Sequence, residues 1–128
     1  MQTKPSIYLR WQGYYDYTIE NVKKTVLEEP SVAGVYKIAE LQEFGRLVPF
    51  YAGETSDLYR TLLEHFNNSE KNICLKKKLK EKICSFRFAT LIEKEEREAV
   101  LRAIFEHYHP VCNDEKRIPK AYPVNIDF

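Results

Sequence analysis

The chain has 128 residues, 44% of them apolar, which is enough for one domain with a packed core. No apolar run approaches the ~18 residues of a membrane span, and the N-terminus lacks a signal-peptide pattern, so we expect no membrane partner. The net charge of +1 is far from that of a strongly basic protein, so any binding of nucleic acid has to come from a local patch.

Three cysteines, Cys74, Cys84 and Cys112, form an odd set without Cys-x-x-Cys spacing. This pattern argues against a disulfide framework and against a zinc knuckle. Because free thiols are typical of reducing compartments, we expect a cytoplasmic protein.

The N-terminal extension is rich in aromatic residues, and apolar and polar residues alternate from Ile7 to Trp11. The alternation predicts a short strand whose aromatic side chains pack in the core or at an edge; the alternative is a platform on which bases stack. Asp16 or Thr18 then begins a predicted helix that extends to about Leu27 and ends before Pro30.

Two apolar runs, residues 33–38 and 49–53, flank a charged loop from Glu40 to Arg46 and predict an antiparallel hairpin. The next segment has helical spacing, and Thr55 or Ser56 is predicted to cap its first turn. Its apolar face consists of Leu58, Tyr59, Leu62, Leu63 and Phe66.

Residues 70–82 contain six lysines and a modest apolar seam, which predict a short surface helix. Ser85 to Ile92 alternates as a third strand, and a long helix follows from Glu93 to the residue before Pro110. Its core stripe is Leu101, Ile104, Phe105 and Tyr108. We therefore predict one α+β domain over residues 1–128, with a small three-stranded antiparallel sheet flanked by helices and an extended tail from about residue 114.

The tail alternates Val124, Ile126 and Phe128 with polar residues. Such a segment can add a strand to a sheet edge, either in the same chain or in a partner. A protein partner or a homodimer formed through the tail is therefore one expectation.

Three motifs in the middle of the chain carry a family resemblance. Gly34-Val35-Tyr36, Tyr51-Ala52-Gly53 and the later Pro110-Val111-Cys112-Asn113 stand in the order and spacing of the GIY-YIG nuclease superfamily. The resemblance extends from Gly34 to Asn113, and it includes the helix that follows the second motif.

The resemblance implies a nuclease site that acts on nucleic acid, with DNA as the first expectation. Tyr36 and Tyr51 match the two motif tyrosines, which position or deprotonate the nucleophile in that superfamily. Asn113 matches the asparagine that braces the site, and His65 stands where many members carry a histidine. The implied cofactor is Mg²⁺ or Mn²⁺ if the domain is active, and none otherwise.

Two positions depart from the superfamily pattern. Thr61 stands at the position of the phosphate-stabilising arginine, and Leu101 stands at the position of the metal-binding glutamate. Arg60 is the nearest substitute for the arginine, and Glu98 is the nearest substitute for the metal ligand. The alternative for Glu98 is a surface ion pair with Arg102.

Lysines of the third predicted helix, residues 70–82, supply the local positive charge for phosphate contacts. They are Lys76, Lys77, Lys78 and Lys80. The alternative for these residues is an ordinary solvated helix face. Two functions follow from the sequence: a metal-dependent endonuclease with weak or degenerate catalysis, and a catalytically inactive module that binds nucleic acid or a protein partner.

Overall fold

The computed structural model describes residues 3–128 and contains four strands, four α-helices and two short 3₁₀ turns within that range. The strands are β1 (Gln12–Asp16), β2 (Gly34–Leu41), β3 (Leu47–Thr55) and β4 (Cys84–Thr90). The helices are α1 (Ile19–Thr25), α2 (Leu58–Glu64), α3 (Ile73–Glu81) and α4 (Lys94–Tyr108).

The four strands form one antiparallel sheet in the order β1-β4-β2-β3. The α+β fold with a small antiparallel sheet is confirmed, but the prediction of three strands missed one. The missing strand is β1, which pairs with β4. The β2–β3 hairpin has the predicted connectivity, and Pro49 lies in β3 at the sheet edge, where a missing N–H donor is tolerated.

The prediction of a strand from Ile7 to Trp11 is wrong, because the strand lies just after it. Ile7, Leu9 and Trp11 alternate because they pack against the core, not because they pair in the sheet. The backbone near Ile7 instead meets the tail, where Ile7 N donates to the Asn125 carbonyl at 3.0 Å. The tail thus pairs with the N-terminal segment of its own chain through a single bridge between Ser6 and Asn125.

The sheet is covered on both faces, and β2 is accordingly buried over nearly its whole length. Helices α1, α2 and α3 pack on the first face against the side chains of Tyr36 and Ile38. Helix α4 and the tail pack on the second face against Val35 and Ala52. Because strand side chains alternate, neighbouring residues of β2 reach different layers of the protein.

Helix α2 begins at a different cap from the one predicted. Asp57, not Thr55 or Ser56, accepts from the backbone N–H of Arg60 at 3.1 Å. The Thr55 hydroxyl instead accepts from the Asp57 backbone N–H at 3.0 Å and so stabilises the turn before the helix. At α1 the predicted cap Thr18 is the observed one.

A disulfide joins Cys74 to Cys112, so the prediction against disulfide pairing is wrong. The sequence spacing gave no signal because the two residues are 38 positions apart and meet only through the topology. Cys84 is free and buried. The prediction of a cytoplasmic location was based on three unpaired cysteines. The disulfide removes that basis, and the location stays a prediction. In residues 3–128 no helix is long and apolar enough to cross a bilayer.

Candidate functional site

The main pocket lies at one end of the hairpin and has a volume of about 620 Å³. Strands β2 and β3 form one wall, residues 70–72 before α3 form the second, and the segment after α4 forms the third. The pocket therefore collects residues from the three motifs that are far apart in the sequence.

Tyr36 and Tyr51 lie on neighbouring antiparallel strands and line the same pocket, as predicted. Their ring centroids are 6.2 Å apart. Tyr36 is 2% exposed, whereas Tyr51 is half-buried. The hydroxyl of Tyr51 is thus the more accessible of the two to a ligand.

Gly53 makes room for Tyr36. It lies opposite Tyr36 in the hairpin register, and a Cβ at this position would overlap the Tyr36 hydroxyl. The second motif glycine is therefore needed for close approach of the tyrosine to the strand.

A chain of hydrogen bonds leads from Tyr36 through His65 to Glu70. The Tyr36 hydroxyl lies 2.8 Å from His65 Nε2, and His65 Nδ1 lies 2.8 Å from Glu70 Oε2. The carboxylate favours a proton on Nδ1, so that in the neutral imidazole Nε2 accepts from the tyrosine. His65 contacts the site through Tyr36, and sequence reasoning missed Glu70, which lies in a loop without periodicity.

Both tyrosines are held in their neutral form. Burial, followed by the neighbouring Tyr51 hydroxyl, raises the pKa of Tyr36 well above its usual value. Burial also raises the pKa of Tyr51, against the opposing effects of Tyr36 and of the positive charge of Arg117. At neutral pH the pocket therefore presents two phenol groups and no phenolate.

Asn113 braces the outer strand of the hairpin. Its Oδ1 accepts from the Ala52 backbone N–H at 2.8 Å, and its Nδ2 donates to the Ala52 carbonyl at 2.8 Å. Because β3 is an edge strand, these two bonds satisfy backbone groups that have no strand partner. The predicted bracing contact is thus present in the structure.

Arg60 does not line the pocket. It is 66% exposed and lies 3.8 Å from both Asp57 and Glu64 on the outer face of α2. Thr61, at the superfamily's arginine position, forms a hydrogen bond of 2.7 Å with Thr55.

The cations that do line the pocket are Lys71 and Arg117. Both are exposed, and neither forms an ion pair with a carboxylate within the described residues 3–128. Lys71 belongs to the lysine-rich region 70–82 that was predicted to contact phosphates, whereas Arg117, four residues after the last motif, was not predicted.

The resemblance assigns the metal-binding glutamate to position 101, where the structure has a buried leucine. Leu101 lines the pocket, is 6% exposed and packs in the second-face core. Glu98 does not line the pocket, and Arg102 pairs with Glu106 at 3.2 Å and not with Glu98. Glu54 is bound to Arg97 at 2.9 Å.

Leu101 cannot ligate a divalent cation, and the carboxylates that do line the pocket are those of Glu54, Glu70 and Asp114. Among residues 3–128, no group of three or more His, Cys, Asp or Glu side chains is placed to hold a metal ion. Hard cations such as Mg²⁺ need oxygen ligands, and the leucine side chain supplies none.

The lysines of α3 divide into two groups. Lys78 forms an ion pair with Glu40 at 2.5 Å, and Lys76 Nζ donates to the Asn68 carbonyl at 2.8 Å. Lys77 and Lys80 are exposed, one helical turn apart, and have no hydrogen bond or ion pair of their side chains within the described chain. Of the four predicted lysines, only Lys78 is therefore neutralised by a carboxylate within the described residues.

Comparison with solved structures identifies the fold. The chain is similar to the GIY-YIG N-terminal endonuclease domain of UvrC from Thermotoga maritima bound to magnesium, its catalytic divalent cation, with 21% identity and a TM-score of 0.54. The match covers 74% of this chain and 98% of that domain. A tyrosine-to-phenylalanine point mutant of the same domain matches with 20% identity and a TM-score of 0.55, over 75% of this chain and 98% of that one.

The likeness shows that the chain has a GIY-YIG-like fold. No protein-family model matches the sequence, and the search of curated proteins finds no match.

Proposed function

We propose that this domain binds the phosphate backbone of nucleic acid at the mouth of its pocket and does not cleave it by a metal-dependent route. The observation that carries the proposal is the replacement of a metal-binding wall by Leu101 in a pocket that keeps Tyr36, Tyr51 and Asn113. DNA is the ligand we expect first, because the similar domain is an endonuclease domain.

Hydrolysis of a phosphodiester needs an activated water and a group that balances the charge developing on the phosphate oxygens. In the similar domain a divalent cation is described as catalytic. Here the hydrocarbon of Leu101 faces the pocket, and Thr61 in place of arginine lies against Thr55. Two of the expected charge-balancing groups are therefore absent from their superfamily positions.

Binding of phosphate requires only the cations that border the pocket. The Arg117 guanidinium suits a phosphate because it can donate two parallel hydrogen bonds, and Lys71 adds a second positive charge. Tyr51 lines the same pocket as Arg117 and offers a neutral hydroxyl as a further donor. Lys77 and Lys80 extend this positive surface along α3.

One observation favours endonuclease activity as a second candidate. The Tyr36 hydroxyl can take a proton from a bound water while it passes its own proton to His65, and Glu70 stabilises the resulting imidazolium. However, removing one charge-stabilising donor typically costs about 10²–10³ in rate. We therefore expect any cleavage by this relay to be weak.

The binding proposal is tested by fluorescence anisotropy of labelled duplex, single-stranded and branched DNA across a range of salt concentrations. Arg117→Ala and Lys71→Ala should each weaken binding to all sequences and lower the salt slope by roughly 0.7–0.9. Lys116→Ala is the matched control, because this lysine is also exposed but does not line the pocket.

Equal losses in the Arg117 and Lys116 variants would show that binding reflects general surface charge and not the pocket. The absence of binding by the wild type to any of the three DNA forms, or to RNA of the same lengths, would overturn the proposal. It would leave a protein partner as the ligand of this face.

A further inference from the structure

Two cations lie side by side on the second face of the sheet, away from the candidate site. Lys37 of β2 and Arg87 of β4 are direct partners in the antiparallel register. The Lys37 side chain is fully buried and Arg87 is half-buried. Like charges opposite each other on a sheet are destabilising, so this pair requires compensation.

No acidic side chain supplies that compensation. Neither Lys37 nor Arg87 forms an ion pair with an Asp or Glu side chain within residues 3–128. Arg87 Nε is buried and has no hydrogen-bond partner among residues 3–128. Burial, and then the charge of Arg87, lowers the pKa of Lys37 to about 8.

Both cations point at a single oxygen of the tail. Lys37 Nζ donates to the Phe128 main-chain oxygen at 2.7 Å, and Arg87 Nη1 donates to the same oxygen at 3.1 Å. The ring of Phe128 stacks on His107 with centroids 4.0 Å apart. The tail therefore places an oxygen and an adjacent aromatic ring in a prepared site.

Aromatic rings enclose the two cations. Lys37 Nζ lies 4.5 Å from the centroid of the Trp11 ring and 5.2 Å from that of Tyr108. The Trp11 indole N–H donates to the Asp127 carbonyl at 2.7 Å and fixes the tail beside them. Cation–π contacts lower the cost of burying positive charge but do not neutralise it.

We propose that Lys37 and Arg87 form a carboxylate-binding site, which takes a carboxylate carried next to an aromatic ring. A neutral carbonyl offers one partly charged oxygen to two full charges, whereas a carboxylate offers two charged oxygens that both cations can share. Two molecules could supply this carboxylate. One is a polypeptide that stops at Phe128, through its α-carboxylate, and the other is a separate small aromatic acid.

The experiment uses two proteins, the 128-residue chain and the same chain with two glycines added after Phe128. The added residues move any terminal carboxylate about 7 Å along an extended chain. The probes are N-acetylphenylalanine and its neutral amide, which carries the same ring. The readouts are the melting temperature and the emission of Trp11, the only tryptophan in the chain.

If the tail supplies the carboxylate, the extension lowers the melting temperature by several degrees. The extended chain then gains a saturable change in Trp11 emission with the acid but not with the amide. If a separate acid is the ligand, it displaces the Phe128 oxygen from the two cations, and the 128-residue chain itself then responds to the acid but not to the amide. Lys37→Met should abolish either response, whereas Lys120→Met, a control at an exposed lysine, should not.

The comparison of acid with amide needs no variant, so a Lys37→Met protein that fails to fold leaves the proposal testable. An equal response to both compounds would assign the site to the ring alone and overturn the proposal. The proposal would also be overturned if neither the extension nor the acid changed the melting temperature or the emission.

Discussion

Tyr36 shows how a single residue is tuned by its place in the sheet. Its hydroxyl is buried between β3, Tyr51 and His65, and burial raises its pKa well above the usual value. A raised pKa in the folded state means that the folded protein keeps a proton that the unfolded chain releases above pH ~10. The stability contributed by this group is therefore present below pH 10 and is lost as the pH rises further.

We predict that Tyr36→Phe lowers the free energy of unfolding by about 1 kcal/mol at pH 8, because a buried hydrogen bond to His65 is lost. The difference from the wild type should shrink between pH 8 and 10.5, since only the wild-type tyrosine is stabilised in the unfolded state by losing its proton. Urea unfolding at both pH values measures this. Tyr8→Phe, at a position that is 92% exposed, is the control, and a pH-independent difference for Tyr36→Phe would contradict the account.

A second prediction concerns Thr61 and Leu101, the two positions where the sequence departs from the superfamily pattern. Thr61→Arg together with Leu101→Glu should increase Mn²⁺ affinity and Mn²⁺-dependent nicking. Thr61→Arg removes the hydrogen bond to Thr55, but the partial exposure of position 61 lets the guanidinium reach solvent. A buried unpaired carboxylate at position 101 costs several kcal/mol unless a metal joins it. Leu101→Gln is the control, because it adds a polar group without the charge. A double variant that folds but gains no Mn²⁺ affinity over this control would show that Leu101 is not the missing metal ligand.

The sequence predicted residues that belong to motifs and missed those that act from irregular segments. Tyr36, Tyr51 and Asn113 came from their order along the chain, and the structure brings them to one pocket. Glu70 and Arg117 lie in segments without periodicity, where spatial position depends on the whole fold. Glu70 and Arg117 could be assigned to the pocket only from the three-dimensional structure, because no local sequence rule indicates which loop residue points into a cavity.

Helix α3 is tied to the segment after α4. The disulfide joins Cys74 near the start of α3 to Cys112, and Asn72 Nδ2 donates to the Cys112 carbonyl at 2.9 Å. The Cys112 N–H in turn donates to the Phe50 carbonyl at 2.9 Å. These contacts hold two walls of the pocket together.

We predict that Cys74→Ala with Cys112→Ala lowers the free energy of unfolding by about 2–4 kcal/mol, since the cross-link closes a loop of 38 positions. Dithiothreitol should destabilise the wild type and leave the double variant unchanged. Cys84→Ala removes a thiol without a cross-link and should keep the sensitivity to reductant. Urea unfolding with and without reductant decides this, and a wild type insensitive to reductant would contradict it.

Most elements were predictable because their patterns are local. The hairpin, α2, α3 and α4 follow apolar periodicity, and their observed bounds differ from the predicted ones by a few residues. Strand β1 was misplaced because Ile7, Leu9 and Trp11 alternate as a strand does while packing outside the sheet. The disulfide was missed because pairing of distant cysteines is a property of topology.

The tail closes the second face of the sheet. Val124 is buried, and Ile126 and Phe128 pack against the cluster formed with α4. The predicted pairing with a sheet edge of the same chain is wrong, because the tail meets residues near Ser6 instead. A homodimer through the tail stays a prediction that the packing within one chain does not require.

Truncation after Tyr122 should lower the melting temperature by roughly 5–10 °C, because apolar side chains on the second face become exposed. Lys120→Ala, at an exposed tail position, is the control and should change little. The oligomeric state in solution, measured by light scattering, should be the same for the truncated chain and the 128-residue chain. A truncated protein with an unchanged melting temperature would contradict the packing role, and a fall in mass would assign the tail to an oligomer.

Binding of the nucleic-acid backbone at the pocket, without metal-dependent cleavage, can be tested on the wild type itself. The most direct measurement is nicking of supercoiled plasmid and of branched DNA, at protein concentrations where anisotropy shows binding, with Mn²⁺, with Mg²⁺ and with a chelator. We predict that the wild type binds DNA and that its nicking, if any, is weak and independent of the metal. Robust wild-type nicking that is abolished both by the chelator and by Tyr36→Phe would contradict the account.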